Sequence, residues 1–203
     1  MRRRAFILSS VALVACAACG RSPTPLPKID PGGTIVAFGD SLTYGTGASA
    51  DESYPAVLER LISRKVIRSG VPGEVTSQGL ERLPEVLDEH QPQLLILCLG
   101  GNDLLRRMDE NAVTSNLRAM IKLSRDRGIG VVLLAPPRPA LFSSAPDFYL
   151  QLAREHKLLL EADVLKQVLS DNNLKSDLIH PNAKGYAKIA EALAKLLKSS
   201  GAV

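Results

Sequence analysis

Leu94-Leu95-Ile96-Leu97-Cys98-Leu99, followed at once by Gly100-Gly101-Asn102-Asp103, sets the architecture of the chain. Six consecutive apolar residues with no polar alternation mark a strand covered on both faces, as in the interior of a parallel sheet. The glycine pair ends the strand, and polar residues follow where its carboxyl end meets solvent. Similar runs lie on either side. Residues 34–38 and 131–134 read as strands, 66–68 as an edge strand of mixed polarity, and 158–160 as a weaker fifth.

Helical patterns lie between these runs. One is expected over 55–62 and another over 77–88, which Pro84 should kink or split. Val113, Leu117, Met120 and Ile121 keep helical spacing, and Gly128 is placed to end that helix. Tyr186, Ile189, Ala190, Leu193, Leu196 and Leu197 form a strong apolar stripe, with Lys184, Lys188, Glu191, Lys195 and Lys198 facing away. Strands alternating with helices predict an α/β fold, a three-layer α/β/α sandwich on about five parallel strands.

The 203 residues are enough for one domain, and the balance of 45% hydrophobic to 23% charged residues is that of a globular protein. Tryptophan is absent, so aliphatic side chains must fill the core. The formal net charge of +4 rests largely on Arg2, Arg3 and Arg4; without them basic and acidic residues nearly balance. No nucleic-acid footprint remains.

Residues 1–15 read as an export signal: a basic start, then an apolar stretch from Ala5 to Ala15 too short to span a bilayer. Leu13-Val14-Ala15-Cys16 resembles a bacterial lipobox, with Cys16 the expected lipidated residue and Cys19 the alternative. Arg3-Arg4-Ala5-Phe6-Ile7 also resembles a twin-arginine signal. The expectation is an exported protein, periplasmic or membrane-anchored through an N-terminal lipid. Residues 16–33, with Pro23, Pro25, Pro27 and Pro31, then read as a tether, 34–198 as the folded domain and 199–203 as a tail. Cys98 lies in an apolar run, so no disulfide framework and no catalytic thiol are expected.

In parallel α/β sheets, ligands sit beyond the carboxyl ends of the strands. Gly39-Asp40-Ser41-Leu42 follows the first strand, Gly70-Val71-Pro72-Gly73-Glu74 the second and Gly100-Gly101-Asn102-Asp103 the third; Asp177-Leu178-Ile179-His180-Pro181 precedes the last helix. Their chemistry is complementary. The Ser41 hydroxyl needs a base, which His180 can supply. Asp177, three residues earlier, can fix the imidazole tautomer. The Ser41 and Gly73 amides and the Asn102 side chain can stabilise an oxyanion.

These four blocks, in this order, resemble the SGNH, or GDSL, hydrolase family over about 165 residues. The stretch Gly73-Glu74 through Gln78-Gly79-Leu80 and Arg82-Leu83-Pro84 is similar to its bacterial periplasmic branch of thioesterases, arylesterases and lysophospholipases. The resemblance implies a flavodoxin-like sandwich and Ser-His-Asp hydrolysis of a small acyl ester or thioester, with no metal and no cofactor. Two positions depart from the pattern. Arg68-Ser69-Gly70 lacks the family's asparagine, and Glu74 stands where Asp or Asn commonly follows the oxyanion glycine.

Other motifs are missing. Thr43 replaces the last glycine of a Gly-x-Ser-x-Gly elbow, arguing against an α/β-hydrolase. Gly45-Thr46-Gly47 lacks the rest of a dinucleotide fingerprint, and no His-Glu-x-x-His occurs. His90 and His156 read as helix-end residues. Two alternatives stand beside the esterase: an O-deacetylase of envelope carbohydrates, and a non-catalytic lipid-binding lipoprotein. Leu141 and Phe142, after the fourth strand, are expected to line the substrate pocket and favour an apolar acyl chain.

Overall fold

The computed structural model describes residues 26–139 and 143–203. Cys16, Cys19, Leu141 and Phe142 lie outside the described residues. Five strands, β1 (Thr34–Gly39), β2 (Lys65–Gly70), β3 (Leu94–Cys98), β4 (Gly130–Leu134) and β5 (Leu159–Glu161), form one sheet in the order β2-β1-β3-β4-β5. Every pairing is parallel, with Val36 opposite Ile67 and Leu95, and Ile96 opposite Val132.

The pleat sends alternate residues of each strand into two separate cores. Ile35, Ala37, Leu94, Ile96 and Val132 face one side, where α2 (Tyr54–Ile62), α7 (Val164–Ser170) and α8 (Ala183–Ser199) cover them. Val36, Phe38, Leu95, Leu97 and Val131 face the other, under α3 (Thr76–His90), α5 (Glu110–Asp126) and α6 (Asp147–His156). All five residues of β3 are buried, which is why that strand carries no polar alternation. The two remaining helices, α1 (Ser41–Tyr44) and α4 (Gly101–Leu105), are single turns at strand ends.

Pro84 does not split its helix. α3 continues through it from Thr76 to His90. An interior proline costs about 3 kcal/mol. Burial of Leu83, Val86 and Leu87 on the sheet-facing side contributes roughly 1.5–3 kcal/mol apiece and outweighs that cost. Besides the single turns α1 and α4, the sequence reading did not anticipate α6, whose apolar residues Phe148, Tyr149, Leu152 and Ala153 span less than two turns, or the shorter α7.

The packed unit also extends beyond 34–198. Ile29, in the expected tether, is fully buried, and so is Ala202 in the expected tail; the Ile29 amide donates to the Ala202 carbonyl at 2.8 Å. This contact lies at the amino edge of the sheet. There Asp30 pairs with Gln93, just before β3, and Pro27 abuts Gly130, where β4 begins.

Candidate active site

At the opposite, carboxyl edge the chain leaves β1 through a tight turn. Gly39 is obligatory there, because a Cβ would sit 2.3 Å from both the Cys98 carbonyl and the Thr43 hydroxyl. Asp40 caps α1 by accepting from the Leu42 amide at 3.0 Å, and this turn projects Ser41 at the helix start. The loop after β2 carries Gly73 at φ +80°, a conformation that favours glycine. The loop after β3 opens α4 with Asn102 as its second residue.

His180 lies on the loop before α8, which is well tied down. Ser176 donates its amide to the His180 carbonyl at 3.0 Å, and Lys175 bridges Pro181. Asn182 caps α8 through the Gly185 amide while its own amide group holds the Asn173 and Lys175 carbonyls. Asp177 does two things at once. Its Oδ1 accepts from the Ile179 and His180 amides, both at 2.8 Å, and its Oδ2 lies 2.7 Å from His180 Nδ1. With the ring proton on Nδ1, Nε2 is left to accept from Ser41 Oγ, 3.0 Å away. Partial burial would raise the Asp177 pKa, but the hydrogen bonds from Ile179 and His180 outweigh it and hold the carboxylate below its ordinary value.

The five sequence-selected residues Ser41, Gly73, Asn102, Asp177 and His180 thus come to one rim. Four of them, with Asp177 behind His180, line a pocket of about 260 Å³. Leu105, Pro136, Pro137, Pro139, Leu169 and Ile179 complete much of its wall, and these side chains are apolar. The amides of Ser41 and Gly73 have no acceptor among the described residues. Asn102 Nδ2 rests on two acceptors, Asp40 Oδ2 at 3.2 Å and the Glu74 carbonyl at 3.0 Å. His90 and His156 end α3 and α6 and do not line this pocket.

Three acidic side chains lie buried around this rim. Asp103 accepts from the Thr76 amide and hydroxyl, which ties the Asn102 turn to the start of α3. Glu74, one of the two departures, is paired: its carboxylate receives Arg82 Nε at 2.8 Å and Nη2 at 2.7 Å, and Arg82 stacks over the Phe38 ring at 4.0 Å. Among the described residues, Asp40 has no cation beside it. Burial, opposed by the Leu42 amide and reinforced by Glu74 and Asp103, pushes its pKa up to about 7. Asp40 and the Glu74–Arg82 pair were not singled out from the sequence. The usable signal for Asp40 was its position between a buried strand and the serine.

Comparison with known proteins places this geometry. The chain is 34% identical over 174 residues to an arylesterase of Vibrio mimicus, covering 80% of this chain and 87% of that one. It is 31% identical over 173 residues to thioesterase 1/protease 1/lysophospholipase L1 of Escherichia coli strain K12, covering 81% and 83%. Among solved structures, that of TesA superposes with a TM-score of 0.75 at 27% identity, over 82% of this chain and 99% of that one. Residues 37–188 match the model of the GDSL-like lipase/acylhydrolase family, and the chain belongs to that family.

Proposed function

We propose that this chain hydrolyses carboxylic esters and thioesters through an acyl-enzyme on Ser41. The observation that carries the reading is the continuous chain Ser41 Oγ–His180 Nε2 at 3.0 Å and His180 Nδ1–Asp177 Oδ2 at 2.7 Å, set at the mouth of an apolar pocket. Ser41 Oγ attacks the substrate carbonyl carbon while His180 Nε2 takes its proton. The oxygen that becomes negative is met by the Ser41 and Gly73 amides and by Asn102 Nδ2, whose hydrogens it shares with Asp40 and Glu74. Collapse breaks the bond to the leaving group, which departs as alcohol or thiol with the proton from His180. A water then attacks acyl-Ser41, gives its proton to His180, and the acid is released with Ser41 regenerated.

The apolar wall favours an acyl chain over a sugar and so the esterase over the carbohydrate deacetylase. The assembled triad disfavours a protein that only binds lipid. A panel of aryl esters and acyl thioesters of rising chain length, run beside acetylated sugars, tests this. We expect kcat/KM to rise by about tenfold or more from acetyl to longer acyl groups, because each methylene seated in an apolar pocket is worth roughly 10-fold or more. A preference for acetylated sugars would instead make the protein a deacetylase.

The export reading belongs with this function. Cys16, at the end of the lipobox-like run, is proposed as the lipid attachment site. In a bacterial host the wild-type chain is expected to incorporate labelled fatty acid and partition into detergent, and Cys16→Ser to do neither. Continued acylation of the variant moves the site to Cys19; an unlabelled wild type makes the enzyme a plain secreted one.

A further inference from the structure

Asn102 is a useful oxyanion donor only if its nitrogen, and not its carbonyl oxygen, faces the Ser41 side of the pocket. A side-chain amide has two nearly isosteric orientations, and its partners decide between them. Here both partners are acceptors: the Glu74 carbonyl on the β2 loop and Asp40 Oδ2, one residue from Ser41. A flipped amide would set its oxygen against the Glu74 carbonyl, and against Asp40 Oδ2 whenever that carboxyl is ionised. The Glu74 carbonyl alone would anchor one hydrogen and leave the side chain free to swing toward or away from Ser41. Asp40 Oδ2 takes the other hydrogen at the longer distance of 3.2 Å, which keeps that N–H on the Ser41 side, where an oxyanion can share it.

Asp40 is itself fixed. It is 2% exposed, its Oδ1 is engaged by the Leu42 amide, and its Oδ2 lies close enough to Gly101 that a Cβ there would be 3.4 Å away. We infer that Asp40 is a positioning residue that aims the Asn102 amide into the oxyanion site. Its carboxyl joins the serine turn after β1 to the asparagine turn after β3, so the nucleophile and this oxyanion donor share one reference point. The inference rests on the reading of Asn102 as an oxyanion donor.

Asp40 also caps α1, so loss of activity in a single variant would not separate the two roles. The test is a double-mutant cycle of Asp40→Ala with Asn102→Ala, reading kcat, KM and melting temperature. Asn102→Ala alone is expected to lower kcat about 10²–10³-fold. Asp40→Ala alone is expected to lower kcat by about 10–100-fold with little change in KM, since the lost interaction acts on the charged intermediate. In the Asn102→Ala background the same substitution should cost less than about threefold, because the amide it aims is gone. If Asp40→Ala does not fold, Asp40→Asn enters the same cycle; it keeps the volume but offers one oxygen to two N–H donors. Multiplicative effects beside a defective Asn102→Ala overturn the positioning role and leave the donor reading intact. Near-normal kcat in Asn102→Ala alone overturns both.

Discussion

Ser41→Ala is expected to abolish ester hydrolysis, lowering kcat by on the order of 10⁶-fold, as loss of a triad serine does elsewhere. The fold should be unaffected. Among the described residues Ser41 Oγ has one partner, His180 Nε2, and the substitution leaves the Asp40 cap, the Gly39 turn and the backbone of α1 in place. Melting temperature should therefore stay close to wild type. A fluorophosphonate probe should label the wild type and not the variant, since the phosphorus can be attacked only by that oxygen. Turnover within tenfold of wild type would remove Ser41 from the reaction, whatever the pocket looks like.

Asp177→Asn should be next in severity, at about 10⁴-fold in kcat. The argument is one of tautomers. An asparagine at 177 can keep its oxygen on the Ile179 and His180 amides, which hold the turn, and so presents its NH₂ to the imidazole. His180 Nδ1 must then accept, the ring proton moves to Nε2, and Nε2 can no longer take a proton from Ser41. Asp177→Ala should lose as much activity and also melt earlier, because it gives up both turn amides as well. Comparing the two variants separates catalysis from loop stability. An Asp177→Asn protein with kcat within about tenfold of wild type would mean that His180 is oriented by something else.

The sheet was legible in the sequence because strands buried on both faces leave continuous apolar runs, as at residues 94–98 and 131–134. The Ser41 and Asn102 loops stood out for the same reason, since each interrupts such a run at its carboxyl end, whereas Asp177 and His180 follow no strand and stood out by their spacing before the last helix. α6 carried a short signal, Phe148, Tyr149, Leu152 and Ala153 at helical spacing, that the reading passed over, while the seven residues of α7 carry too few turns for a helical period to declare itself. Pro84 misled because its local cost is visible in sequence, whereas the burial of Leu83, Val86 and Leu87 that offsets it is not. The Asp40–Asn102 bond joins residues 62 apart, and nothing local in either loop announces it. Glu74 looked like a departure from the family pattern. Its partner, Arg82, lies in the second turn of α3, and the longer carboxylate reaches it.

The contact of Ile29 with Ala202 fixes where the polypeptide enters the globule: beside the amino ends of β3 and β4, the full length of the sheet away from Ser41. With strands of five to six residues, that separation is roughly 17–20 Å. The first described residues, 26–29, therefore join the fold at the end of the sheet opposite the pocket, and leave the approach to Ser41 clear.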